Sequence, residues 1–413
     1  MTTELTGVPD LADPETFRAG VPHMAYDLIR ELPGLAWQPA DAGTLTGGFW
    51  VVTRYDEAVQ VLQDADRFQS GYGAVYPLPN PTRMEPLSKS IQFMDSPDHS
   101  RVRRSAAKSF GPRVVANFES WIREVIVETL DDALPRQRFD WIEKVCQVIP
   151  PLVIAQILGV PRERWGFVVD SSHRIFVAQS AKDGGISLAD EFTKIGGYLT
   201  ELGEEKLKNP ADDMTTLLAQ SHAAGEVDFV EYQMYLVSLL IAGAETTNTT
   251  MAHIGHLLAT DPQIRDVAAR ALDEGKSGEL VEEFLRYITP AMNFARVASR
   301  ETELNGQLIN KDDLVVVSLI AANRDPAAFP HPNTFDPFRE GTKPLGGTGG
   351  AGMSFGAGPH RCIGHMLAKL ELRIFLEELH ARGVAVSMDG DPERGASGVV
   401  NQLLTLPVAV SVG

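Results

Sequence analysis

The sequence predicts a mainly helical chain with a few small β-sheets. Long stretches repeat their apolar residues at the helical spacing, while clusters of β-branched and apolar residues between turn residues are short and scattered. Hydrophobic residues make up 44% and charged residues 22%, values that support a sizeable core and exclude a disordered chain. No linker-like shift of composition divides the 413 residues, so 1–413 is expected to form one domain.

Strands are expected at Phe49 to Thr53, Arg296 to Ala298, Leu314 to Val317 and Leu403 to Val410. Helices are expected at Asp56 to Leu62, Ser100 to Phe110, Arg113 to Leu130, Trp141 to Leu158 and Leu188 to Leu207. Phe229 to Thr260, Pro262 to Leu272, Glu279 to Ile288 and Ile363 to Leu379 complete that set. Asp228 followed by Glu231 forms a capping-box pattern before the longest helix, and Asp261-Pro262 caps the next one, so the two helices meet at a sharp bend. No internal repeat is evident, and the low-complexity stretch is Gly346 to Gly352.

A net charge of −18 opposes association with nucleic acid or an anionic membrane. With two cysteines, Cys146 and Cys362, neither a disulfide framework nor a Cys-rich iron–sulfur or zinc site is expected. The first residues carry no basic start followed by an apolar segment, and the apolar run Met234 to Ala244 is too short to span a membrane. A cytoplasmic protein, monomeric by default, is expected.

Residues 355–364 read Phe-Gly-Ala-Gly-Pro-His-Arg-Cys-Ile-Gly, a turn-rich loop with one cysteine that runs into an amphipathic helix. Glycines there allow close approach of a flat ligand, and amides at a helix N-terminus stabilise negative charge on sulfur. A lone cysteine is otherwise most simply a buried packing residue. The loop resembles the haem-binding signature of the cytochrome P450 family, Phe-Gly-x-Gly-x-His-x-Cys-x-Gly, at every defining position, and further motifs extend the resemblance over nearly the whole chain.

That resemblance implies a single-domain P450 fold of the soluble, bacterial type, with haem b (iron protoporphyrin IX) between the long central helix and the cysteine-loop helix. Cys362 is the implied axial ligand of the iron. Phe355, Gly356 and Gly364 shape its loop, while Ala242 and Gly243 make room on the central helix. Ala242-Gly243-Ala244-Glu245-Thr246 is similar to the family's Ala-Gly-x-Asp/Glu-Thr motif, which makes Thr246 and Glu245 the expected proton relay to bound oxygen. A threonine hydroxyl can bond back to the carbonyl one turn earlier and loosen the helix. Read without the cysteine loop, Thr246 to Thr250 is a polar stripe on a helix.

Glu283 and Arg286 match the family's Glu-x-x-Arg pair, with Arg339 as third member, and a structural role is implied. His99 and Arg103, one helical turn apart, join Arg296 and His360 as the implied partners of the haem propionates, which need cations or hydrogen-bond donors when buried. Arg101, Arg104, Lys108, Arg113, Arg361, Lys369 and Arg373 are expected to form one basic patch where an acidic ferredoxin docks. Gly347, Gly349 and Gly352 fit a dinucleotide fingerprint, but without a preceding strand and βαβ unit the match carries little weight.

The implied activity is insertion of one atom of dioxygen into a small hydrophobic molecule, by hydroxylation or epoxidation, with electrons from a separate ferredoxin and ferredoxin reductase. The resemblance places the pocket walls at the Gly71 to Ile91 loop, the central helix near Leu239 and Ala242, the segment Ala291, Met292, Asn293 to Phe294, and Leu403. Tyr72, Tyr76 and Asn293 are candidates to bind one polar group. Apolar walls favour a terpenoid, steroid or alkyl-aromatic over a sugar, since hydrocarbon gains ~25 cal/mol per Å² buried. The alternatives are a haem-thiolate peroxygenase, and a haem-binding sensor or carrier without turnover.

Overall fold

The helices of the computed structural model follow the apolar spacing closely. It describes residues 7–41, 44–71, 74, 87–107, 110–179, 187–342 and 352–413. In chain order the helices begin α1 (His23–Glu31), α2 (Tyr55–Gln63), α3 (Asp98–Ala107), α4 (Pro112–Ala116), α5 (Glu119–Ala133), α6 (Ile149–Ile157) and α7 (Trp165–Gln179). They continue with α8 (Leu188–Lys208), α9 (Met214–Ala223), α10 (Phe229–Thr260), α11 (Pro262–Asp273), α12 (Ser277–Ile288), α13 (Leu319–Ala322) and α14 (His365–Ala381). The strands are β1 (Ala36–Pro39), β2 (Gly48–Val52), β3 (Phe68–Gln69), β4 (Arg138–Asp140), β5 (Asn293–Ala298) and β6 (Thr302–Leu304). β7 (Gln307–Ile309), β8 (Leu314–Ser318), β9 (Ala385–Met388), β10 (Glu393–Arg394), β11 (Leu403–Thr405) and β12 (Pro407–Ser411) follow.

The chain forms two compact units, each built from separate stretches of sequence. The first takes Met1–Asp98, Glu282–Cys362 and Arg394–Gln402; the second takes His99–Val281, Ile363–Glu393 and Leu403–Gly413.

The first unit is organised by a sheet of order β1-β2-β8-β5-β3, in which β2 and β8 run parallel and the other neighbours antiparallel. β2 and β8, Gly-Phe-Trp-Val-Val and Leu-Val-Val-Val-Ser, are buried throughout, as central strands covered on both faces are. Alternation then sorts the side chains. Phe49, Val51, Ala295, Val297 and Val316 pack with Tyr26 and Ile29 of α1. Trp50, Val52, Ala298, Val315 and Val317 pack instead with Tyr55 and Val61 of α2 and with Met353 and Ala357 of the cysteine loop. The side chain of Arg296, paired in register with Val315, belongs to this second face.

In the second unit α10 is the longest helix. Its N-terminus carries the capping box: Asp228 Oδ1 accepts from the Glu231 amide at 2.8 Å, and Glu231 Oε2 accepts from the Asp228 amide at 2.8 Å. Asp261 ends it and caps α11 by accepting from the amides of Gln263 and Ile264. α10 and α6 approach closely at Gly243, where a Cβ would lie 2.6 Å from Ile154. An antiparallel sheet β4-β12-β9 completes this unit. No helix among the described residues is long and apolar enough to cross a membrane.

Several boundaries differ from the sequence expectations. The helix expected over Arg113 to Leu130 is two, because the amides of Asn117 and Phe118 bond three residues back and turn the chain between α4 and α5. Trp141 to Leu158 is a π-helical turn at Ile142–Cys146 followed by α6; Pro150 and Pro151, which lack an N–H, sit in the first turn of α6 where none is needed. Leu403 to Val410 breaks at Leu406, whose carbonyl accepts from Trp141 and whose amide bonds to Asp140, leaving Pro407 to start β12. α1, α7, α9 and α13, and the short strands β1, β3, β4, β6, β7, β9 and β10, lie outside the sequence expectations. Helix α3 ends at Ala107; Lys108 lies outside the described residues.

Helix α14 buries a carboxyl. Glu371 is 2% exposed, and its Oε1 has no hydrogen-bond partner among the described residues. Burial pushes its pKa up to about 8. The folded chain therefore holds this proton above the pH at which the unfolded chain releases it. The resulting stability is whole below the ordinary carboxylate range and declines as pH rises toward about 8. Glu371→Gln is expected to remove this decline, raising the urea midpoint at pH 8 while leaving it nearly unchanged at pH 4. Equal shifts at both pH values would refute a protonated Glu371.

Candidate functional site

In the first unit the cysteine loop is held rigidly. Gly356 and Gly358 adopt φ of +65° and +69°, in the left-handed region that glycine enters freely. A Cβ on Gly358 would lie 2.1 Å from the carbonyl of Leu62 at the end of α2, so the loop backbone rests directly on that helix. The Gly356 amide donates to Met353 O at 2.7 Å, and the Cys362 amide donates to Phe355 O at 2.9 Å. Cys362 is exposed at the end of this turn, whereas Cys146 is buried, its thiol pushed well above its usual value. Gly364 follows as the N-cap of α14.

Behind the loop lies the expected Glu-x-x-Arg network. Arg286 donates to both carboxylate oxygens of Glu283 at 2.7 Å, and Arg339 donates to Glu283 Oε1 at 3.0 Å. The Arg286 guanidinium, 2% exposed, also donates to the carbonyls of Asn323 and Pro332 at 2.8 Å and of Thr334 at 3.2 Å. Asn323, which sequence reasoning missed, carries the bracing forward. Its Oδ1 accepts from the Met353 amide at 2.6 Å, and its Nδ2 donates to Thr289 and Ser354 at 2.8 and 3.1 Å. Ser354 in turn donates to Leu285 O at 2.6 Å. The segment entering the cysteine loop is thus tied to α12 and to the end of α13.

Arg296 is 4% exposed, and its Nη1 donates to the adjacent Ala295 carbonyl at 2.7 Å. Burial lowers its pKa to about 10, with Asp95 opposing part of that shift. Asp95 accepts from the amides of Ser70 and Gly71 at 2.8 Å, and Ser70 Oγ lies 3.2 Å from His360 Nε2. Arg296 and His360 are therefore linked through Ser70 and Asp95, two residues that no spacing in the sequence marked.

Two side chains expected to line a substrate pocket do not fit that role. Met292 is packed in the core on the opposite face of the sheet from Arg296, and Asn293, on that same opposite face, donates to Gly398 O and bonds Tyr26. Both serve the unit's interior. Tyr72, Tyr76, Gly347 and Gly349 lie outside the described residues.

In the second unit α10 is buried from Met234 to Leu240 and from Thr247 to Gly255, but opens between them: Ala242 is exposed, while Ile241, Gly243, Glu245 and Thr246 are half-buried. Thr246 Oγ1 donates to Ala242 O at 3.1 Å, four residues back, as a helix-loosening hydroxyl does. Burial pushes the pKa of Glu245 up to about 7, which lets it both hold and release a proton near neutrality. Gly243 has a packing reason of its own against Ile154. Leu239 and Leu403 are buried.

On α3, His99 is buried and Arg103 follows one turn later. Burial raises the pKa of Tyr235 on α10, and the charge of Arg103 opposes that rise. The expected basic patch is smaller than foreseen. Arg101 is engaged with Glu231 at 2.7 Å, and Arg373 with Glu119 and Glu377 at 2.9 Å each. Arg104 and Arg113 remain exposed.

These features fit a haem. The exposed thiol on a glycine-rich turn suits an axial ligand, a desolvated guanidinium suits a carboxylate, and an open window of small residues suits a flat macrocycle.

Comparisons with known proteins agree. Residues 278–381 match the family model described as Cytochrome P450. The chain is 31% identical over 394 residues to putative cytochrome P450 126 of Mycobacterium tuberculosis, covering 92% of each. It is 27% identical over 415 residues to linalool 8-monooxygenase of Pseudomonas putida, covering 97% of this chain and 98% of that one. The solved structure of Mycobacterium marinum cytochrome P450 CYP268A2 in complex with pseudoionone superposes with a TM-score of 0.86 at 25% identity, covering 99% of both chains.

Arg286→Ala is expected to cost about 3–5 kcal/mol, since it leaves a buried carboxylate short of its main partner and strips three carbonyls of their donor. Urea unfolding measures this, and a loss below about 1 kcal/mol would mean that the clamp is not needed for stability.

Proposed function

The chain belongs to the cytochrome P450 family and is a monooxygenase of that family, and we propose that it hydroxylates or epoxidises a small hydrophobic molecule with electrons from a ferredoxin system. The observation that carries this reading is the Glu245–Thr246 pair at the opening in α10. A carboxyl with its pKa near neutrality beside a back-bonded hydroxyl is machinery for delivering protons. A peroxygenase or a haem carrier has no need of it.

Haem b is the proposed cofactor, with Cys362 as its thiolate ligand and His99, Arg103, Arg296 and His360 at its propionates. Bound there, with Cys362 as its thiolate ligand, haem would supply dioxygen activation, a chemistry that consumes two electrons and two protons and yields oxygenated product and water. The protein's residues do the rest. Phe355 and Gly356 hold the loop, the Arg286 clamp fixes its approach, and Arg296 supplies positive charge that Asp95 partly balances. Thr246 positions a proton at the oxygen side, and Glu245 replaces it.

Leu239, Ala242, Ala291 and Leu403 are the proposed substrate-lining residues. Relatives named for linalool oxidation and crystallised with pseudoionone support a terpenoid first, with steroids and alkyl-aromatics next. Residues 1–413 act as one catalytic domain, supported by relatives that match along almost their full length. Acidity and the need for a reduced thiol support a cytoplasmic location. An acidic ferredoxin, reduced by its reductase, would meet the exposed Arg104 and Arg113.

Reconstitution with surrogate ferredoxin, reductase and isotopically labelled dioxygen tests the proposal. One labelled atom in a terpenoid product is expected, and Thr246→Ala should divert most electrons to hydrogen peroxide while electron uptake continues. Product formed only with added peroxide would favour a peroxygenase, and no product under either condition would favour a carrier.

A further inference from the structure

The second unit contains a cavity behind Glu245. Glu245, Asn248, Gln147, Ser172 and His173 give it a polar lining, and Ile241 and Ala244 are among its apolar walls. Its volume, about 30 Å³, has room for one or two water molecules. Ser172 Oγ is buried and has no hydrogen-bond partner among the described residues. A buried hydroxyl without a protein partner is normally satisfied by water. On the outer side, His173 is exposed, and its ring is oriented by Nδ1 lying 2.6 Å from Gln147 Oε1. The lining of the cavity therefore brings together a carboxyl, an unsatisfied hydroxyl and a solvent-exposed imidazole.

We propose that this cavity holds ordered water that returns protons from bulk solvent to Glu245, with Ser172 anchoring the water and His173 as the positioning residue at its mouth. The inference rests on Glu245 being the acid of the proposed relay. When Glu245 gives up its proton, the carboxylate takes one from the adjacent water; that water takes one in turn from solvent past His173. Charge and atoms balance at each transfer, and no electron moves. The apolar walls confine the water to this path, so the carboxyl need not open to bulk solvent.

Two substitutions obstruct the path without touching Glu245 or Thr246: Ser172→Leu fills the cavity, and His173→Trp, at an exposed position, covers its mouth. The readout is infrared spectroscopy of the haem-loaded protein below the Glu245 pKa of about 7. The carboxyl stretch is assigned as the band lost in Glu245→Gln, and its shift is followed after transfer to heavy water. Exchange is expected to slow at least about tenfold in both variants, because a plugged path must wait for local opening of the protein. Turnover should slow while coupling to product stays as in the unsubstituted enzyme, unlike the peroxide release expected of Thr246→Ala. Exchange at the original rate in both variants overturns the water path. Unchanged turnover in Glu245→Gln overturns the relay on which it rests, and the exchange rates still decide separately whether the cavity conducts protons.

Discussion

A buried arginine holds together the part of this protein on which its chemistry depends. Arg286 binds Glu283 through two hydrogen bonds and reaches three backbone carbonyls in the stretch from Asn323 to Thr334. A guanidinium's planar fork can serve so many acceptors at once; a lysine's ammonium cannot. Asn323 then passes the constraint to Met353 and Ser354, next to the loop that ends at Cys362. A thiolate ligand must stay at one place while its partner changes charge, and the rigidity has to come from outside a glycine-rich loop, since glycine itself supplies none.

The acidic chain places its buried charges unevenly. Arg296 is desolvated with Asp95 as its nearby carboxylate, while Glu245 and Glu371 are carboxyls raised toward or above neutrality by burial. Each is unfavourable for folding alone, because the charged form loses its hydration. Under the proposed function Arg296 and Glu245 have a reason: one would offer a cation to a carboxylate ligand and the other would keep a proton available. Their placement illustrates how a binding site departs from what stability alone would select.

Much of this was legible in the sequence because it is written in local patterns. The bounds of α10 follow from Asp228, Glu231 and Asp261-Pro262, whose caps depend only on near neighbours. The cysteine loop and the Glu283–Arg286 pair were legible for the same reason. What stayed hidden depends on distant partners. Asn293 faces the core because of strand parity, which single-strand reading did not settle. Asn323 and Asp95 find their partners only among residues many positions away, and Arg101 and Arg373 are engaged by the distant carboxylates of Glu231 and Glu119, Arg373 also by Glu377 one turn on. The Pro150-Pro151 pair did carry a signal, a helix start, but it lay inside a longer apolar pattern.

The proposed chemistry stands or falls with Cys362 as a thiolate ligand of haem iron. The most direct measurement is the absorption spectrum of the dithionite-reduced protein with and without carbon monoxide. A strongly red-shifted Soret band on carbon monoxide binding is predicted, and it should disappear in Cys362→Ser while the fold persists. A Soret band at the shorter wavelength typical of a neutral axial ligand in the unsubstituted, folded protein would rule out thiolate ligation by Cys362.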